Sequence, residues 1–368
     1  MTPASVRTKR GPDLQHGMAI CGSIFLLALI LRNSEAAISF MRRGLTLCAE
    51  TVIPSLFPFM VISALLAESG AVEWAGRWLA GPMHRLFGIS GPSACAVLLG
   101  ALCGFPIGAK TAVSLYDRGA IDRAELERLL TFCNNTSSAF VISAVGTSLW
   151  SSRRFGVGLF WIQLGCAVLI GILGRRRGGA ALQAPPSLPN QQGAAIFTQA
   201  ISSSASGMLV VCAYVAFFSS VIGALGVLLD QLSPSPIIDA LLFGFFELSS
   251  GVSAAAAIDD AYIGAVLTAF AVGWSGLSVH FQIMSLTAGR GISYRPYLLA
   301  KAAQGTLCAV ITALWLKLAP PDDLAPCTVT EAFYDLPGGY LHMVHLAFCA
   351  ALIYAVISRL RKKFGKIR

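Results

Sequence analysis

The stretch "GALCGFPIGAKTAV" (residues 100–113) lies in one of the most apolar parts of the chain, yet it holds three glycines, a proline and a lysine. A membrane helix would favour leucine at those positions. Gly104, Pro106 and Gly108, around Phe105, permit a non-helical turn, and such a turn at membrane depth is tolerated only where it is buried or lines an aqueous cavity. A break there frees backbone N–H groups at the start of the next half-helix, whose positive end attracts anions. Lys110 falls in that first turn and adds a full charge, so the stretch reads as an anion-selective pocket. The alternative is that Lys110 snorkels to an interface and the turn joins two short spans.

The rest of the chain supports a membrane setting. Of 368 residues, 55% are hydrophobic and 12% charged, with a mean hydropathy of +0.70; soluble domains carry about 25% charged residues. Runs such as "FGVGLFWIQLGCAVLIGILG" (155–174) show no strict alternation, which selects helices over a barrel. The net charge of +9 comes from Lys and Arg at segment ends, which argues for membrane orientation and against nucleic acid. The ten cysteines are scattered in apolar segments without metal-like spacing and read as small core residues.

Candidate spans are 17–31, 51–69, 92–117 with a break, 129–150 with polar residues inside it, 155–174, 205–229, 236–258, 261–288 (interrupted), 297–318 and 340–358. The expected organisation is a cytoplasmic tail (1–16), a first half (17–174), a basic, Pro-rich cytoplasmic linker (175–195), a second half (196–358) and a basic tail (359–368). The first apolar run lacks a small-residue cleavage site and reads as an uncleaved first helix or signal anchor. Positive-charge bias places both termini in the cytoplasm of a multi-pass cell-membrane protein and the acidic 319–339 loop outside. Arg42/Arg43 and Arg153/Arg154 would then lie outside, against the bias. Residues 72–88 suit a helix lying in the interface, and 117–132 begins with an Asp122-x-x-Glu125 helix-start signature.

The two halves resemble each other. "VLLGALCGFPIGAKTAV" (97–113) then "LLTFCNNTSSAFVISAVG" (129–146) parallels "ALLFGFFELSSGVSAAA" (240–256) then "VLTAFAVGWSGLSVHFQIMSL" (266–286). Paired interrupted segments at corresponding places point to a transporter binding site, with the repeats inverted in the membrane. The expected fold is therefore an all-α polytopic membrane protein of two inverted repeats with broken helices and re-entrant hairpins.

Five successive polar residues, Asn134 to Ser138, interrupt an apolar segment and read as a re-entrant tip or an external loop. Asn134, Asn135 and Ser137 could orient a solute through both donors and acceptors. Glu247, alone in "LLFGFFELSSG", is an intramembrane carboxylate, to be read as a functional group or as a structural partner of Lys110 or Ser249. Ser275, Ser278, His280 and Gln282 follow in "GWSGLSVHFQ", where a lone His is a core residue or a proton relay. No P-loop, HExxH, GxSxG or nucleophile–base pair is visible, which argues against a pump driven by ATP and against an enzyme. No cofactor is expected beyond a coupling proton or monovalent cation. The partners this reading allows are a small-molecule substrate, the lipid bilayer and a second copy of the chain.

"LLGALCGFPIGAK", "AELERLLTFCNNTSSAFVISAVG", "IPSLFPF", "FELSSG" and "GLSVHFQ" resemble the sporulation integral membrane protein YlbJ family, which carries the nucleoside-recognition or Gate domain. The resemblance spans roughly residues 18–358, and the chain is more distantly similar to the core of concentrative nucleoside transporters. That likeness implies a first hairpin tip at Gly104–Lys110 and a first unwound helix at Asn134–Ser138. It implies a second unwound helix at Glu247 with Ser249 and Ser250, and a second hairpin at Gly273–Gln282. Pro106, Ile107 and Lys110 stand where nucleoside carriers use an amide and an acid, which favours an anionic solute. A family tied to spore formation makes a dicarboxylate such as dipicolinate the expected example. The competing expectations are a nucleoside transporter or sensor, and a non-transporting scaffold for spore formation.

Overall fold

The computed structural model describes residues 14–68, 71–175, 193–232, 235–321 and 323–325. Most of the N-terminal tail and of the linker, the acidic loop beyond 325, the expected span 340–358 and the basic tail lie outside the described residues. Every regular element among the described residues is helical.

The first part of the chain forms α1 (Leu14–Arg32), α2 (Ser34–Leu47), a π-wound turn (Cys48–Val52), α3 (Ile53–Glu68) and α4 (Ala71–Phe87). Next come α5 (Ala94–Leu102), α6 (Ile107–Asp117), α7 (Arg123–Leu130), a π-wound segment (Phe140–Leu149) and α8 (Arg153–Leu173). The later part forms α9 (Gly193–Leu232), α10 (Pro236–Phe246), α11 (Leu248–Ala256), α12 (Ala261–Trp274), α13 (Gly276–Leu286) and α14 (Tyr294–Leu318).

Four stretches are long and apolar enough to cross a membrane: Arg153–Leu173, Ala195–Leu228, Ala261–Leu286 and Tyr294–Leu318. A fifth candidate is the bent pair Ile20–Arg32 and Ser34–Glu50, which turns by 96°. The sequence shows no span over 34–47, and α2 accounts for this by lying against α9. At the bend the Asn33 amide donates to the carbonyls of Leu29 and Ala224, each at 3.2 Å. Small residues then set the α2–α9 separation: a Cβ on Gly44 would strike the Ser219 hydroxyl, and one on Gly223 the Ala36 carbonyl. At 40 residues α9 is about 60 Å long, so it begins well before the expected residue 205.

The helices pack as two groups. α1, α2 and α3 gather on α9 through Leu29, Ala37 and Ala224, and through Cys48, Leu56 and Met60 against Met208, Val211 and Val215. The remaining helices enclose two larger apolar clusters, one around Phe87, Leu126, Phe132 and Tyr297, the other around Trp150, Phe155, Leu159 and Val272. Cys103 and Ile107, at the α5–α6 break, join the first group's cluster.

The helix start at residue 122 forms with a twist. Asp122 caps α7 by accepting the Glu125 N–H at 2.7 Å. The Glu125 carboxylate does not return to Asp122. It is buried and accepts from the Ser90 N–H and the Ser93 hydroxyl, both at 2.6 Å, so it pins the α4–α5 connection to α7.

Candidate functional site

Two short helix pairs fold back on themselves. In the first, α5 and α6 cross at Gly100 and Gly108, and a Cβ on either would collide with the Cys133 carbonyl. Residues 103–106 make the turn, with Gly104 at φ +79° and a cis Phe105–Pro106 peptide. The break expected from "CGFPIG" is therefore present, and α6 starts immediately after Pro106. In the second pair, α10 and α11 cross at Gly244 and Gly251, where a Cβ on Gly251 would strike the Gly244 Cα. The turn is a single extended residue, Glu247, at φ −148° and ψ 130°.

The likeness to nucleoside carriers implies an unwound helix at Glu247 and a hairpin at Gly273–Gln282. The structure exchanges these roles. Glu247 is a hairpin tip, while α12 and α13 continue one span, Ala261–Leu286, interrupted at Ser275 (φ +75°). Gly244 and Gly251 flank Glu247 and permit the close backbone contact of the fold-back, which packing of the tip against Trp274 and Gly276 selects.

Glu247 is buried and caps α11. One carboxylate oxygen accepts from the Ser249 N–H (2.9 Å), the other from the Ser250 N–H (2.7 Å) and hydroxyl (3.0 Å). A negative charge at a helix N-terminus is stabilised by the N–H groups aimed at it. Ser249 thus contributes its backbone.

Each hairpin tip rests on a broken span. At the first, the Phe105 N–H donates to the Asn135 carbonyl at 2.8 Å, the Ser138 hydroxyl to the Leu102 carbonyl at 3.3 Å, and Gly104 is packed against Ser137 too closely for a Cβ. At the second, the Trp274 indole donates to the Phe245 carbonyl at 3.1 Å, and Gly276 lies against Glu247 and Leu248. The two broken spans meet where the Thr136 hydroxyl donates to the Val272 carbonyl at 3.1 Å.

Residues 134–137 of the polar run therefore lie in an internal unwound stretch between α7 and the π-wound segment, and several of their polar atoms are paired by other helices. Gln163 of α8 donates to the Thr136 carbonyl (3.0 Å) and accepts from its N–H (3.3 Å). Gln304 of α14 donates to the Asn135 side-chain oxygen (2.9 Å) and to the Gln163 carbonyl (3.2 Å). The Lys301 ammonium, buried on α14, donates to the Asn134 carbonyl (3.0 Å) and the Gln304 side-chain oxygen (2.8 Å). Asn134, Asn135 and Ser137 are all buried here, and the Asn134 side-chain oxygen has no hydrogen-bond partner among the described residues.

Ser275, Ser278, His280 and Gln282 are buried on and after the second break. Ser275 donates to the Val272 carbonyl at 3.4 Å. His280 Nδ1 pairs with the Tyr297 hydroxyl at 2.9 Å and its ring stands edge-on to Trp274, while among the described residues His280 Nε2 and Gln282 Oε1 have no partner.

Lys110 points elsewhere. Half-buried on α6, its ammonium donates to the Ser203 carbonyl at 3.1 Å and hydroxyl at 3.5 Å. Ser203 lines an open cavity of about 630 Å³ on α9, with Ala195, Thr198, Gln199 and Ser202. Among the described residues no ion pair joins Lys110 to Glu247.

Lys301, Gln304, Gln163 and Tyr297 escaped the sequence reading. The signal was present: Tyr297, Lys301, Gln304 and Cys308 recur at helical spacing along one face of an apolar segment, and a lysine inside such a segment calls for the same scrutiny as Glu247.

Outside the spans, two connections are tied together. Arg290, between α13 and α14, makes a two-pronged ion pair with Asp117 at 2.8 and 2.7 Å, and this hydrogen bonding pushes the Arg290 pKa up. Glu127 of α7 accepts from the Ser293 N–H at 2.9 Å and from Arg123 at 3.1 Å.

No solved structure matches this chain. Residues 49–219 match the Gate family model, described as nucleoside recognition. The matched region runs from the π-wound turn before α3 to the middle of α9, so it contains the first hairpin and the first broken span. The chain is also 26% identical over 332 residues to the sporulation integral membrane protein YlbJ of Bacillus subtilis (strain 168), covering 80% of this chain and 81% of that protein. It is an integral membrane protein with several apolar spans, similar to the Gate family model over residues 49–219 and to YlbJ along most of its length.

Proposed function

We propose that the protein is a carrier of a small, anionic solute, moved by alternating access between two structurally related halves. One observation carries the reading: each broken span receives a hairpin tip, and the two spans join beside a buried polar node that holds a lysine. Discontinuous helices whose ends and unwound backbone surround a midplane site are the usual construction of secondary carriers. The order hairpin then broken span occurs twice, in agreement with the sequence similarity between 97–146 and 240–286, which supports two repeats.

In this reading Lys110, beside the open cavity on α9, attracts the solute's negative group. Asn134, Asn135, Ser275, Ser278 and Gln282 orient it after the tips part, and Glu247 or His280 takes part in coupling. The protein sits in the cell membrane with both termini cytoplasmic. The name of its relative ties that protein to sporulation, and a spore-related dicarboxylate such as dipicolinate is the first solute to try.

Uptake by reconstituted vesicles tests this. Lys110→Ala should abolish dicarboxylate uptake while the protein still reaches the membrane; normal uptake by that variant would sink the reading. The description of the Gate family favours a second reading, a nucleoside transporter or sensor. Nucleoside binding undisturbed by competing dicarboxylates would select it.

A further inference from the structure

Lys301 is a cation with neutral oxygen partners. The residue is 1% exposed, and its side-chain hydrogen bonds go to a backbone carbonyl and an amide oxygen. Among the described residues the ionisable groups that act on it are His280 of α13, Cys308 of α14 and Cys133 beside the first break; none of these is a carboxylate. A buried charge requires compensation. Here it comes from the Asn134 carbonyl just past the end of α7, on the negative side of that helix's dipole, and from Gln304, which Asn135 and Gln163 hold in place.

Unwound carbonyls and half-helix C-terminal ends are what carriers of this kind use to hold a coupling sodium ion or proton. At this break the oxygens already have a cation on them. We infer that the Lys301 ammonium is the resident cation of the first broken span, occupying the oxygen positions a monovalent metal ion would need, so that no coupling sodium or potassium ion binds there. The inference rests on the carrier reading only for the word coupling. The resident charge itself is a property of the folded chain and is tested without any transport.

The test is the melting temperature of the purified full-length protein in sodium, potassium, methylammonium or choline chloride at equal ionic strength. Wild type should melt at the same temperature in all four; stabilisation by sodium or potassium over choline would overturn the inference. Lys301→Ala, which vacates the position, should melt several degrees lower in choline and recover part of the loss in methylammonium or potassium. An unshifted melting point, or a loss that no small cation restores, would overturn it. Should Lys301→Ala not be recoverable, Lys301→Met fills the volume without charge and should lose stability with no response to cations. Wild-type stability in that variant would likewise count against a resident cation. Failure of the carrier reading shows separately, as absence of uptake by wild-type vesicles.

Discussion

The two hairpin tips solve one problem by different means. The α5–α6 tip is made of shape: Gly104 at positive φ, Pro106, and a backbone hydrogen bond from Phe105 to Asn135. The α10–α11 tip is made of charge, with Glu247 gathering two N–H groups and a hydroxyl at the start of α11. The first tip docks on a stretch of seven residues (131–137) that has left the helix, whereas the second meets a span interrupted for about one residue at Ser275. A long unwound stretch exposes many backbone groups, and Gln163, Lys301 and Gln304 are there to pair them. A short interruption needs little more than a left-handed residue and the neighbouring tip. The lesson is that the extent of unwinding sets how much polar side-chain support the surrounding helices must supply.

The crossings beneath both tips are the place to break the comparison. Gly100→Val and Gly251→Val each drive a side chain into backbone that cannot move, at a cost on the order of 3 kcal/mol, and neither should yield a monodisperse protein. The caps should separate the tips. Glu247→Ala removes the acceptor of three donors and should cost about 2 kcal/mol, read as a lowered melting temperature. Its counterpart at the shape-made tip, Ser138→Ala, loses a 3.3 Å hydrogen bond and should cost about 0.5–1 kcal/mol. If the two variants melt alike, the division between shape and charge fails. Smallest of all should be Asp117→Asn: its pair with Arg290 is partly exposed, at 48% and 26%, so about 0.5 kcal/mol is at stake, diminishing in high salt.

Much of the fold was legible along the chain. Apolar runs of sufficient length marked α8, α9, α12–α13 and α14, because burial in lipid demands a composition that no soluble helix needs. Gly104, Pro106 and Gly108 announced the first turn, and Asp122 the start of α7, since both signals are local backbone chemistry. The site was legible in part. Asn134 and Asn135 did fall at an unwound stretch, and Glu247 did fall at a break. What Lys110 faces was not legible, because its partner Ser203 lies on α9, 93 residues away. Nor was the exchange of roles between Glu247 and Ser275: a glycine pair either folds a chain back or lets it run on, and the choice depends on what packs against it.

By itself the sequence determined a helical membrane protein and its points of interruption, for these follow from composition and from glycine and proline. Only the tertiary structure decided that the tips of both hairpins land on the broken spans, and that Lys301 and Gln304 of α14 reach the first of them. A buried cation is stable only beside oxygens held in place by other helices, and no local pattern says which helices will bring them.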